Sequence, residues 1–300
     1  QARSEVRKGT KVIEAPFSST LLDTAFNILK DKKISEIGYE DEKMDVASFN
    51  KLKAKFPDAK FHSISKELRD KRCIKNSGEI DAIRKAALIA DLTYDCIIRI
   101  IKPGRTELEI SAHIDYLIKT FKGDSPAFET LVSSGKLSAH PHGKPTGKML
   151  HEGELIVMDF GAKYKGYNSD ITRMASLGAP LKKHQKIYDA VLSAQGFAIL
   201  KIKDGVAAKD VDKAARNVLK KERLEKYFRH STGHGIGLQV HEGPRVSLTS
   251  KDILKEGMVV TVEPGVYLPG VGGFRVEDMV LVKRGGCEVL TRSPRKLAVL

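Results

Sequence analysis

The chain has 300 residues, 41% of them hydrophobic and 30% charged, a balance that supports a folded core and excludes a disordered polymer. The net charge of +14 raises nucleic acid as a partner, but the lysines are interleaved with Glu and Asp and no recognition motif accompanies them. No apolar run approaches the ~18 residues of a membrane span, so a solvated, lysine-rich surface with neither nucleic-acid nor membrane partner is expected.

In chain order, the polar start Gln-Ala-Arg-Ser-Glu shows no secretory pattern. Residues 1 to about 66 read as a small α/β unit. Leu21–Leu29 is helix-like, Ile34–Gly38 is a short apolar strand, and Val46–Phe56 is a second helix stopped by Pro57. This unit lacks an obvious first strand, as if the chain began partway through a domain. Residues 67–79 (ELRDKRCIKNSGE) are charged and aperiodic and read as a junction.

A long helix follows. Asn76 is placed to cap it with Glu79 three positions on, and Ile80, Ile83, Ala87, Ala90, Tyr94, Ile97 and Ile101 form its stripe up to Pro103-Gly104. Thr106 and Glu109 make a second capping box, opening a helix with Ile110, Ile114, Leu117 and Phe121 facing inward. Strands dominate from about residue 128. Further helices are expected near 184–202 and 209–222, the latter exposing the basic cluster Lys220-Lys221-Glu222-Arg223.

The strand-rich region repeats itself. Residues 152–161 (EGELIVMDFG) align without a gap on 256–265 (EGMVVTVEPG), so Asp159 and Glu263 each end an apolar strand. Residues 166–170 (GYNSD) and 273–277 (GFRVE) each place an acid, Asp170 or Glu277, four positions after a glycine. Upstream, HGKP at 142–145 answers HEGP at 241–244. Each half therefore supplies a histidine, a strand-end acid and a second acid in the same order, an internal duplication.

A carboxylate at the end of a buried strand is costly unless a cation or a hydrogen-bond network meets it. Such an acid can end in solvent or pair with Arg173 or Arg275. Four in duplicated contexts instead suggest that two hairpins aim their acids at one centre, with Gly166 between Asp159 and Asp170, and Gly270, Gly272 and Gly273 between Glu263 and Glu277. Oxygen ligands plus one imidazole suit a pair of divalent ions. His234 lies in STGHGIGLQVHEG, where Gly233, Gly235 and Gly237 allow close approach to a ligand, and His241 follows. His140, His142, His234 and His241 sit beside the acids in Gly/Pro-rich segments. The other five, His62, His113, His151, His184 and His230, read as ordinary core or surface residues.

With SAHPHGKP, MDFGAKYKGYNSDITR, STGHGIGLQVHE, VTVEPGVY and GGFRVEDMVLV in order, the chain from about residue 71 onward resembles pita-bread metallopeptidases of the aminopeptidase P and prolidase type. The resemblance implies an α+β fold: a pita-bread (creatinase/aminopeptidase) catalytic domain with internal pseudo-twofold symmetry at 71–300. A smaller α/β domain at 1–70, incomplete at its N-terminus, precedes it. Family members carry a longer segment before the position where this chain starts.

The resemblance further implies that Asp159 binds one metal, Asp170 and Glu277 bind both, and His234 and Glu263 bind the second. Glu263 is then the general base toward an attacking water. His142 and His241 line the substrate site and serve the leaving proline nitrogen, while His140 stands by. Tyr267 and Arg275 support the site and bind substrate. The implied cofactors are two divalent ions, Mn²⁺ or Co²⁺ first and Zn²⁺ or Fe²⁺ as alternatives. The implied activity is hydrolysis of the Xaa-Pro bond at the start of peptides or in dipeptides, by a homodimer. Three scattered cysteines, Cys73, Cys96 and Cys287, imply reduced thiols and a cytoplasmic protein.

Competing readings are a methionine aminopeptidase-like exopeptidase, creatinase-like chemistry without metals, and a non-catalytic module binding protein or RNA. The pair His142 and His241 and the extra N-terminal unit weigh against the first. The complete ligand set weighs against the other two.

Overall fold

The computed structural model describes residues 9–29 and 32–300, so the polar N-terminal pentapeptide lies outside the described residues. The chain divides into two compact units, one ending at Leu68 and one running from Arg69 to Leu300.

The first unit contains α1 (Leu21–Leu29), β1 (Glu36–Tyr39), α2 (Val46–Lys55) and β2 (Lys60–Ser63). Strands β1 and β2 pair in parallel, with Ile37 opposite Phe61 and α2 as the crossover. Asp45 caps α2 by accepting from the Ser48 N–H at 2.9 Å. The unit's core is small: Phe26, Leu52 and Phe56, flanked by half-buried Ile34, Ile37 and Phe61. The strand expected from Ile34 starts at Glu36, because Ile34 packs on this core before the pairing begins.

The stretch read as a junction is instead mostly helical. Helix α3 (Ser65–Cys73) covers its first half. Glu, Lys and Arg favour helix intrinsically, but only the terminal Ser65 and Cys73 are buried, so no apolar stripe announces it.

Helix α4 (Ser77–Ile97) begins with the expected capping box, Asn76 and Glu79 exchanging bonds of 3.0 and 2.8 Å. It ends four residues before Ile101, which is buried beyond the helix in a turn leading to Pro103. Helix α5 (Glu107–Thr120) opens with the Thr106–Glu109 box. Its inward face centres on Ile110, Ile114 and Ile118, while Leu117 and Phe121 are only partly buried.

Strands β3 (Ser125–Pro126), β4 (Leu131–Ser134), β5 (Leu155–Phe160), β6 (Ala162–Tyr164), β7 (Tyr167–Asn168) and β8 (Ile171–Ser176) follow. Then come α6 (Lys182–Lys201), α7 (Ala208–Lys221), β9 (Gly233–Gly235), β10 (Glu242–Val246), β11 (Val259–Val262), β12 (Gly265–Leu268), β13 (Gly272–Arg275), β14 (Asp278–Lys283), β15 (Gly286–Val289) and β16 (Ala298–Val299).

The duplication inferred from the sequence is present in the topology. The sheets run β16-β8-β5-β4 and β10-β9-β11-β14-β15, so β4-β5-β8 corresponds to β9-β11-β14. Each central pair is antiparallel and interrupted by a small hairpin, β6–β7 in the first half and β12–β13 in the second. Each set is preceded by a helix pair, α4–α5 or α6–α7.

The strands read as continuous apolar runs because both faces are covered. Ile156, Met158 and Phe160 of β5 pack on Ile89, Ile110 and Ile114. Leu155 and Val157 face the other way, into a core with Val191, Val211, Val260 and Val280. Each fully buried aliphatic side chain contributes about 1.5–3 kcal/mol relative to exposure. Among the described residues, no helix is long and apolar enough to cross a membrane.

Candidate metal centre

The repeated strand pairs aim the acids. Asp159 lies in β5 opposite Thr172 of β8, on the face it shares with Leu155 and Val157. Asp170 immediately precedes β8. The hairpin between them turns through Lys165 and Gly166 at φ 49° and 81°, conformations that glycine adopts freely. In the second half Glu263 immediately follows β11 and Glu277 immediately precedes β14, with Val262 opposite Asp278.

His234 is the middle residue of β9. A Cβ at Gly233 would lie 2.0 Å from the Thr261 carbonyl oxygen, and one at Gly235 would lie 1.9 Å from that of Gly243. These glycines therefore admit neighbouring backbone, not a ligand, which corrects the expectation drawn from their spacing.

The structure brings all four acids and His234 together. Donor atoms of Asp170, His234 and Glu277 lie within 4.8 Å of one another. His234 Nε2 is 3.2 Å from Glu263 Oε1 and 3.7 Å from Asp170 Oδ2. Its Nδ1 donates to the Gly235 carbonyl at 3.0 Å, which leaves Nε2 facing the acids. Asp159 Oδ2 accepts from Arg275 Nη2 at 2.5 Å. Glu277 Oε2 accepts from Thr172 Oγ1 at 2.7 Å, and Thr172 accepts from Arg275 Nε at 2.9 Å.

Electrostatics sort the acids into two classes. Burial, then the neighbouring carboxylates, pushes Asp170 and Glu277 well above the usual carboxylate range. Asp159 is raised by burial despite Arg275. Burial works on Glu263 in the same direction, but the hydrogen bond and charge of His234 outweigh it and hold Glu263 at about 2. Arg173 bonds the Asp278 carboxylate at 2.6 Å and reaches the cluster only through the Glu277 main-chain carbonyl.

Asp159 Oδ1, Asp170 Oδ1 and Glu277 Oε1 are buried without a hydrogen-bond partner among the described residues. Buried carboxylate oxygens are ordinarily paired. Three orphaned oxygens beside an imidazole nitrogen form a hard, oxygen-rich donor set that fits divalent cations.

Residues 81–284, most of the chain, match metallopeptidase family M24. The chain belongs to this family. It is 42% identical over 264 residues to an Xaa-Pro dipeptidase of Pyrococcus horikoshii, covering 88% of this chain and 75% of the relative. Among solved structures, an Xaa-Pro dipeptidase from Bacillus anthracis superposes with a TM-score of 0.91 at 38% identity, covering 94% and 79% of the two chains. An X-Pro aminopeptidase from Thermotoga maritima gives a TM-score of 0.89 at 38% identity, covering 95% and 81%. The fold is thus the α+β pita-bread architecture and the protein is a peptidase.

In this M24 peptidase the remaining expected residues fall around the acids. Arg275 also donates from Nη1 to Tyr267 Oη at 2.7 Å and to the Pro141 carbonyl at 3.0 Å. Burial pushes Tyr267 up to about 12. The His241 ring lies tilted at 60° against that of His234 with centroids 4.3 Å apart, and burial, then His234, lowers its proton affinity. His142 is exposed, next to Pro141, whose carbonyl accepts from Arg275.

One histidine assigned to the background belongs to the site. His230 Nε2 lies 3.0 Å from Tyr267 Oη, and the two rings are 5.4 Å apart. The only trace of this in the sequence is its position four residues before His234, which the spacing of the acids did not use.

Proposed function

We propose that this M24 peptidase is a dinuclear metal-dependent exopeptidase that hydrolyses the Xaa-Pro bond at the N-terminus of peptides or in dipeptides. The observation that carries this is the buried acid cluster with its three unpartnered oxygens. Proline as the residue after the scissile bond rests on relatives named Xaa-Pro dipeptidase and X-Pro aminopeptidase.

In this proposal Asp159 would hold one cation, Asp170 and Glu277 would serve both, and His234 and Glu263 would hold the second. Mn²⁺ or Co²⁺ is the expected pair. When bound, the ions supply Lewis acidity toward the scissile carbonyl and lower the pKa of water. Glu263, ionised and beside His234, takes the proton of the attacking water. His142 and His241, on the exposed side of the cluster, bind the substrate and carry a proton to the proline nitrogen. Neutral His241 suits that exchange, since burial and His234 keep its proton affinity low. Arg275 fixes Asp159 and the Tyr267 hydroxyl.

The enzyme is expected to act as a cytoplasmic homodimer. Its three cysteines are free, as a reducing compartment requires.

Chelation followed by addition of Mn²⁺ or Co²⁺ tests the proposal, with Ala-Pro, Ala-Pro-Ala and Met-Ala as substrates. Cleavage of the proline peptides should vanish and return with metal, and Met-Ala should be a poor substrate. Cleavage indifferent to chelation would end the metal reading; preference for Met-Ala would end the proline reading.

A further inference from the structure

Helix α7 carries two charged residues one turn apart whose bonds leave the helix for a single segment of chain. Asp212 is fully buried and accepts Arg216 Nε at 2.7 Å. Its other oxygen accepts both the N–H and the hydroxyl of Thr232, at 2.9 and 2.8 Å. Arg216 donates from Nη1 to the Phe228 carbonyl at 3.1 Å and from Nη2 to the His230 carbonyl at 2.7 Å. Its guanidinium stacks 4.2 Å over the Phe228 ring. Both residues thus grip residues 228–232, the approach to His234.

That grip connects to the metal centre by two routes. The Thr232 carbonyl accepts the Glu263 N–H at 2.7 Å, which seats the strand end bearing Glu263. His230 Nδ1 lies 2.8 Å from the Ser231 carbonyl, which can only accept, so Nδ1 carries the proton and Nε2 accepts. The Tyr267 hydroxyl then donates to His230 Nε2 and accepts from Arg275, which holds Asp159.

We propose that Asp212 and Arg216 are positioning residues: the pair fixes His230, which orients the Tyr267 hydroxyl and, through it, Arg275 on Asp159. A buried ion pair is a poor device for stability alone, because apolar side chains of the same volume serve as well or better. What it supplies here is a fixed direction for every backbone group it touches, all of them in the segment leading to His234. The proposal rests on the metal-centre reading above.

A double-variant cycle tests it in the metal-loaded enzyme on Ala-Pro. Arg216→Gln should lower kcat ~10-fold, the range for residues that orient a metal site from behind, with KM and metal stoichiometry unchanged. Arg216→Lys should recover part of the loss. If Arg216 acts through Tyr267, adding Arg216→Gln to Tyr267→Phe should cost nothing further. Additive losses, or an unchanged kcat per folded molecule, would overturn the proposal.

A readout independent of catalysis is the imidazole nitrogen spectrum of His230 in ¹⁵N-histidine-labelled protein, assigned with His230→Gln. Arg216→Gln should shift it, and Arg216→Lys serves in its place if the glutamine variant does not fold. An unmoved resonance would overturn the clamp. Absence of Xaa-Pro cleavage by the unaltered protein, with a shifted resonance, would instead retire the substrate reading and leave the clamp standing.

Discussion

The two halves of the catalytic unit share a topology but not a division of labour. In each, one acid ends the outgoing strand and another opens the return strand. Each strand-end acid has a close partner from the second half: Arg275 Nη2 lies 2.5 Å from Asp159 and His234 Nε2 lies 3.2 Å from Glu263. The return-strand acids are less closely paired, Asp170 lying 3.7 Å from His234 and Glu277 bonding the Thr172 hydroxyl, and burial with neighbouring carboxylates drives both well above the usual range. The duplicated topology therefore places four acids symmetrically, while their partners are unevenly divided, Arg275 and His234 coming from the second half and Thr172 from the first. Under the proposed metal-centre reading, Asp170 and Glu277 are the positions that would gain most from a bound cation.

The largest expected effects fall there. Asp170→Asn or Glu277→Gln should lower kcat/KM by roughly three orders of magnitude or more, each tenfold being about 1.4 kcal/mol of transition-state stabilisation. Both metals should go, measured by elemental analysis after desalting. His234→Ala, removing a ligand from one side only, should leave about one metal per chain. Equal loss of both metals in all three variants would erase the distinction between bridging and one-sided ligands. A smaller loss, ~10–100-fold, is expected for Arg275→Lys, because a single ammonium cannot reach Asp159, Thr172 and Tyr267 together. Full activity in Arg275→Lys would show that Asp159 needs only a positive charge nearby.

The same comparison explains what was legible in the sequence. The capping boxes at Asn76–Glu79 and Thr106–Glu109 are local, and both form as read. The acids were visible because a carboxylate closing LIVMDFG or MVVTVEPG breaks an apolar run, and because the break occurs twice. His230 is not legible in the sequence, because its partner Tyr267 is 37 residues away and no local pattern links them. Helix α3 is hidden for another reason: its inward positions Ser65, Leu68, Arg72 and Cys73 mix polar with apolar side chains, so no apolar period marks it. The Gly233 and Gly235 spacing marks a close approach, but spacing cannot tell a ligand from the adjacent backbone that actually lies there.

The smallest effect is also the one most specific to the return-strand acids. A carboxyl whose pKa is raised in the folded state contributes stability below its unfolded pKa. That contribution is lost as pH rises through the folded pKa, because ionisation inside the cluster is penalised. Asp170 and Glu277 are raised in this way, so the metal-free protein should lose stability at these positions as pH climbs from acid toward neutral. Asp170→Asn and Glu277→Gln, carrying no ionisable group there, should melt a few degrees higher than the parent at pH 8 in chelator. The advantage should shrink on acidification toward pH 4. With metal present the order should invert, because cations bound only by the folded state stabilise the parent by mass action and the variants have lost them. Glu263→Gln supplies the contrast. Glu263 is held at about 2 by His234, so its contribution is present above the unfolded pKa and lost as pH falls toward 2. Metal-free Glu263→Gln should therefore be less stable than the parent at neutral pH. Thermal melts of the three variants with and without chelator separate the two classes of acid, and the same sign in all three would mean that His234 does not distinguish them.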